Sequence, residues 1–320
     1  VGAAVGFAVV LAGCGYIGEP LPPLANIPAR ITDLAAIQRG GRIIAQFSVP
    51  LLTTENRPIP GPVTLDLRAG PAEHFEEFSW SVNAKQIPAA PVDNGIARYE
   101  IPAAEWTGKS VILGVRVQSA NGKPGAWSNL ATVPVVAAPP TPAGVKAVAT
   151  AQGVKVTWEA HGSQFRVFRK PEGVADFALA TAVDKPEWTD TEIEYGKQYT
   201  YLVQTVVSLG DNKVAESDLS REIAIKPIDT FEPAAPAGLH ATAAANSIEL
   251  SWDPNTEPDL AAYRIYRSTA GGAFEKLADL PPVPAYSDKA IKQDTAYRYQ
   301  VTAVDRAGNE SQRSAIAEAQ

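Results

Sequence analysis

Reactive side chains are scarce in this sequence. Its 320 residues include one cysteine, three histidines and no methionine. A single cysteine excludes an internal disulfide, and His74, His161 and His240, far apart along the chain, leave little material for a His/Cys metal site or a thiol-protease constellation. Basic charge is equally sparse. The formal net charge is -7 and the pI about 5.2, and no Lys/Arg cluster exceeds the neighbourhood of Arg166 to Lys170. A surface that tracks phosphates is therefore excluded, and nucleic acid with it as a partner. The length accommodates two or three domains. A charged fraction of 20% and a hydrophobic fraction of 45% describe an ordinary water-soluble chain after the first fourteen residues.

Motifs for catalysis are missing as well. There is no Gly-x-Ser-x-Gly, and "GKS" at Gly108 to Ser110 lacks the upstream glycine of a phosphate loop and reads as the start of a strand. "EHFEEF" groups Glu73, His74, Glu76 and Glu77 without His-Glu-x-x-His spacing. It reads as a solvated loop with Phe75 and Phe78 packing inward. "DPNTEPDL" sets Asp253, Asn255, Glu257 and Asp259 at alternate positions, a calcium candidate. Two prolines and no mid-loop glycine separate it from an EF-hand, and a solvated acidic loop is favoured. No catalytic residue and no cofactor are expected.

What the chain does have begins at its first residues. Val1 to Gly13 is an uncharged, mostly apolar run of thirteen residues, the length of a signal-peptide core and too short to span hydrocarbon. No methionine or basic residue precedes it, so the natural start is expected upstream. The sole cysteine follows directly: Leu11-Ala12-Gly13-Cys14 resembles the lipobox of bacterial lipoproteins. The resemblance implies cleavage before Cys14, a diacylglycerol on its thiol and an acylated new amino terminus. Three chains at about 0.8 kcal/mol per buried methylene would anchor the protein to a membrane without a spanning helix. Gly15 in place of Asp, by the same resemblance, implies the outer membrane over the inner one. Residues 14–26, with Pro20, Pro22 and Pro23, read as a semi-stiff tether.

Two later segments then repeat. "PAGVKAVATAQGVKVTW" and "PAGLHATAAANSIELSW" each place tryptophan sixteen residues after proline, at Trp158 and Trp252. Val154, Val156 and Trp158, like Ile248, Leu250 and Trp252, alternate with polar residues and predict strands with these tryptophans in the core. "FRVFRK" from Phe165 matches "YRIYRS" from Tyr263. Trp188 and Tyr286 each follow by twenty-three residues, and Tyr199 and Tyr297 by eleven more.

These features resemble the fibronectin type III module: a Pro-led first strand, an inward tryptophan, a Tyr-Arg third strand, and "IKQDTAYRYQVTAVDRAGNES" from Ile291. The resemblance implies an immunoglobulin-like, two-sheet antiparallel sandwich and assigns Tyr199 and Tyr297 as tyrosine corners bonded back to the backbone. Residues 138–230 and 231–320 are expected to be such modules. Residues 27–137 read as a divergent third copy, with Phe47 where the others have tryptophan and no corner tyrosine. "AAPPTPAG" and "DTFEPAAPAG" read as stiff linkers that extend the row of domains. The fold class is thus all-β, tandem fibronectin type III sandwiches behind a signal peptide at 1–13. The expected function is a non-catalytic, lipid-anchored envelope protein. It touches the membrane through acyl chains on Cys14, and its modules serve as a spacer or bind protein or polysaccharide. The rival reading is an accessory polysaccharide binder for a separate hydrolase, for which Trp80, Trp106, Trp127 and Trp188 would have to form an exposed strip.

Overall fold

The computed structural model describes residues 25–319 except 121, 122, 160 and 163. Cys14, the Leu11-Ala12-Gly13 motif and the prolines before Ala25 lie outside the described residues. The regular structure of the described residues is nearly all strand, and the chain divides into two compact units, Val1–Pro139 with Val207–Ser217, and Pro140–Val206 with Asp218–Gln320.

Alternation builds the first unit. Arg42–Ser48 turns Ile43, Ala45 and Phe47 inward, and its antiparallel neighbour Ile96–Pro102 turns in Ala97, Tyr99 and Ile101. Ala35–Arg39 completes this sheet on one side, and Val214–Glu216 adds to its edge in parallel. The facing sheet runs Lys85–Gln86, Val63–Pro71, Ser110–Ser119, Ala131–Pro134. Its inner residues Leu67, Ala69, Val111, Leu113, Val115 and Val117 close one core against Ile43, Phe47 and Ile101. Each large apolar side chain buried this way contributes roughly 1.5–3 kcal/mol. Phe47 stacks on Tyr99 at 5.9 Å and 20°.

The segment around His74 differs from the solvated loop with inward Phe75 and Phe78 that its sequence suggests. Glu76 caps a short helix, Glu77–Asn83, by accepting from the Phe78 and Ser79 N–H groups at 3.0 and 2.7 Å. On a helix, residues two apart face opposite ways. Trp80 is therefore the buried residue, at 5% exposure, while Phe78 is 75% exposed and Phe75 38%. The indole lies on the outer face of the second sheet, where Gly70 and Gly114 make room for it. A methyl at either position would come within 2.8 Å of the ring.

The second unit contains two sandwiches in sequence, each with its own core. In the middle one, Ala143–Thr150, Gly153–Glu159 and Glu187–Asp190 form one sheet. Ala178–Val183, Phe165–Pro171, Tyr199–Ser208 and Ile223–Ile225 lie in the other. The last sandwich repeats the plan with His240–Ala243, Ile248–Ser251 and Ala285–Asp288 facing Glu275–Leu280, Leu260–Thr269, Tyr297–Asp305 and Ala317–Ala319. Trp158 and Trp252, 6% and 5% exposed, meet Phe165 and Tyr263 edge-on at 5.4 and 5.1 Å. The third and fourth strands of both carry a bulge at the same step, after Val167 and after Ile265.

One device recurs in all three sandwiches. The hydroxyls of Ser128, Ser220 and Ser314 accept from the N–H groups of Val115, Val203 and Val301 at 3.1, 2.9 and 2.9 Å, and each serine N–H donates back to the same valine's carbonyl. A buried strand amide that would otherwise lack a partner is satisfied there, which ties the divergent first sandwich to the other two.

Candidate functional site

The later sandwiches share two sets of buried polar contacts. The Tyr199 hydroxyl accepts from the Glu194 N–H, and that of Tyr297 from the Lys292 N–H, both at 2.9 Å. Beside each corner lies a buried carboxylate. Asp190 accepts from the Tyr201 hydroxyl at 2.9 Å and from Arg169 at 2.8 Å, and Asp288 from Tyr299 and Arg267, both at 2.8 Å. Both aspartates are fully buried. Burial first, and then the adjacent carboxylate, raise the pKa of Tyr201 and Tyr299, so both phenols stay protonated donors. Sequence reasoning paired Trp188 with Tyr286 but assigned no role to the aspartate two residues after each; its recurrence eleven residues before a tyrosine is the signal that finds it.

The second unit also holds a cleft of about 760 Å³. Tyr195 and Phe231 line it with rings 6.4 Å apart, and the Tyr195 hydroxyl donates to the Thr150 carbonyl at 2.5 Å. Carboxylates dominate the rest of the wall: Glu194, Asp229, Glu232, Glu257 and Asp259, with Arg306 the cation among them. Asp229 and Asp259 meet Asp305, and one oxygen from each of the three lies within 4.8 Å of the others. Oxygen donors so arranged suit a hard cation. They are also held from within the protein: Asp305 accepts from the Asn309 N–H and side-chain amide at 2.8 and 2.7 Å, and Asp229 from the Phe231 N–H at 3.2 Å. Burial, then the charges of Asp305 and Asp259, raise the pKa of Asp229. Burial and then the charges of Asp229 and Asp259 raise that of Tyr195.

The sequence-derived calcium candidates are not brought together. Of the four, Asp259 alone joins the carboxylate group. Glu257 instead accepts from the Ala234 N–H at 2.6 Å, and Asn255 donates to the Ala234 carbonyl at 2.8 Å. Burial works against the ionised Glu257, but the N–H bonds from Ala234 and its neighbours outweigh it and hold its pKa below the ordinary value. Asp253 sits against Gly238, where an added methyl would meet its carboxylate at 2.5 Å. These residues clamp the Pro-rich segment before the last sandwich. Asp229 and Asp305, distant in sequence from the loop, gave no local ligand pattern to detect.

The tryptophans form no exposed strip: Trp80, Trp158 and Trp252 are buried, and Trp106, Trp127 and Trp188 half-buried. Trp127 meets Trp80 edge-on at 5.4 Å and has the Arg116 guanidinium 4.4 Å from its centroid. Asp66, buried in turn, binds Arg116 and Arg68 at 2.9 and 3.0 Å.

Residues 234–320 match the family model of the fibronectin type III domain. Exoglucanase B of Cellulomonas fimi is 28% identical over 187 residues, covering 56% of this chain and 16% of that enzyme. Chitinase A1 of Niallia circulans is 29% identical over 188 residues, covering 56% of this chain and 26% of that enzyme. Among solved structures, the three-domain segment FN1–FN3 of chicken CNTN1 is similar over 91% of this chain and 98% of its own, with 15% identity and a TM-score of 0.29. The chain thus spans a small fraction of the curated relatives it matches.

Proposed function

We propose, from the fibronectin type III domain at residues 234–320 and the same strand plan in the middle sandwich, that this chain is a non-catalytic scaffold of the cell envelope, anchored by lipid on Cys14, whose sandwiches space and present binding surfaces. The observation that carries the reading is what is shared with the larger enzymes. Exoglucanase B and Chitinase A1 align with this chain over only 16% and 26% of their length, in their type III portions. What the chain has in common with them is a module accessory to catalysis. The cores support the same reading, because closely packed Ile, Val, Trp and Tyr side chains fill the three sandwiches and leave function to surfaces and loops. The lipobox resemblance at Leu11 to Cys14 supports the anchor.

Two measurements test this. Intact mass of the membrane-extracted protein should show a chain beginning at Cys14 with added acyl mass, and Cys14→Ser should shift the protein to the soluble fraction. An unchanged membrane fraction for Cys14→Ser removes the anchor. A panel of insoluble glycans, run for binding and for hydrolysis, tests the scaffold. Turnover by the pure protein overturns it, and binding without turnover selects the accessory polysaccharide reading. The names of the relatives favour that second reading; the coverage of the tryptophan faces by protein does not.

A further inference from the structure

The helix Glu77–Asn83 is an elaboration of the first sandwich. It sits in the connection 72–84 between Val63–Pro71 and Lys85–Gln86, where the middle and last sandwiches join the equivalent strands through 172–177 and 270–274. It is firmly seated. Trp80 fills the space left by Gly70 and Gly114, Arg68 donates to the Ser81 carbonyl, and Glu76 caps the first turn with both its oxygens. The side of the helix that this seating turns to solvent is apolar. Phe78 is 75% and Val82 63% exposed, one turn apart, and Phe75, 38% exposed, lies with its ring 6.1 Å from that of Trp80. Every acidic or basic side chain from Pro71 to Ala84 apart from His74 is a carboxylate: Glu73, Glu76 and Glu77, all exposed. The nearby cations are each paired with a carboxylate, Lys85 with Glu105 at 2.8 Å and Arg68 with Asp66 at 3.0 Å.

We propose that this outward face is a docking knob for a protein partner that offers an apolar pocket bordered by lysine or arginine. The inference rests on the scaffold reading and gives it a surface. A large exposed aromatic on a rigid seat loses little entropy on docking. The pair Phe78–Val82 is the kind of i, i+4 anchor that a groove accepts. Glu73 and Glu77 set the sign of the rim: they repel an anionic lipid surface and attract a basic one.

The test uses the full chain with p-benzoylphenylalanine at position 78, irradiated in the cell envelope of the native host. The expected result is one discrete protein adduct, absent when the probe is at the exposed Leu179. Its yield should fall about fivefold or more in 0.5 M salt and fall equally in a Glu73→Lys/Glu77→Lys background. No adduct, an adduct to lipid or to a second copy of this chain, or a yield indifferent to salt and to both lysines overturns the proposal. Phe78→Ser should leave the melting temperature within about 1 °C, whereas a large drop makes Phe78 structural and overturns it too. A chain that fractionates with membranes yet gives no adduct loses the knob and keeps the scaffold.

Discussion

The first sandwich and the last one solve the same packing problem with different polar chemistry. Both close two sheets over alternating apolar residues, and both satisfy a central strand amide with a serine, Ser128 in one and Ser314 in the other. The last sandwich then buries Asp288 between Tyr299 and Arg267 and bonds the Tyr297 hydroxyl to the backbone. The first has neither. Its buried tyrosine, Tyr99, stacks on Phe47, and its hydroxyl has no partner in bonding geometry, with the Ala90 N–H only close enough to temper a pKa raised by burial. Its acidic residue, Asp66, is paired on the outer face, next to the tryptophans that seat an added helix. The comparison teaches that the sandwich needs its apolar alternation and its serine. The polar core is dispensable where aliphatic packing takes over.

The largest effect should come from breaking the polar core. Asp288→Ala leaves a guanidinium and a phenol without their acceptor and should cost about 3 kcal/mol in urea unfolding, the lower end of the range for broken buried pairs. The lower end applies because Arg267 is 22% exposed and regains water. A loss below about 1 kcal/mol would show that the carboxylate is as dispensable there as in the first sandwich. Trp80→Ala should cost the first unit about 3 kcal/mol and expose the glycine-lined floor, read as raised hydrogen exchange over 77–83. Retained protection would mean that Trp80 does not seat the helix.

Tyrosine-to-phenylalanine exchange sharpens the contrast further. Tyr297→Phe strands the Lys292 N–H and should cost about 1–2 kcal/mol, while Tyr99→Phe, which removes a buried hydroxyl without a bonded partner, should cost about zero. Equal losses at the two positions would erase the distinction.

The smallest effect concerns Asp229. Its pKa in the folded protein is raised, so at neutral pH the fold carries a penalty for the charged form; the penalty fades as the pH falls through the folded pKa towards the unfolded one. Asp229→Asn should therefore raise the melting temperature slightly at pH 7, with the gain vanishing towards pH 4. A gain that persists at low pH would point to a cause other than charge.

Much of this fold was legible because period-two alternation and spacing are local properties of a chain. Val154, Val156 and Trp158, and the tyrosines at 199 and 297, could be located by counting along the sequence. The inward placement of Phe75 and Phe78 failed for the complementary reason. A cap at Glu76 turns the segment helical and rotates Trp80 into the place where the sheet is glycine, and glycines at 70 and 114 have no meaning until two strands are side by side. The candidate site was the least legible part. Asp259 belongs with Asp229 and Asp305 because folding gathers two loops and the end of the strand Tyr297–Asp305, whereas its sequence neighbours Asn255 and Glu257 turn away to hold a backbone segment.

By itself, then, the order of residues determined strands that turn tryptophan or phenylalanine inward, because burial on a strand follows parity, and the resemblance those strands carry implied antiparallel sandwiches. That order also placed the single cysteine, Cys14, directly after an uncharged apolar run. Only the tertiary structure decided which carboxylates share a cleft, which tyrosine hydroxyls find partners and which aromatic face is left to water. Those outcomes depend on distances between segments that no local periodicity encodes.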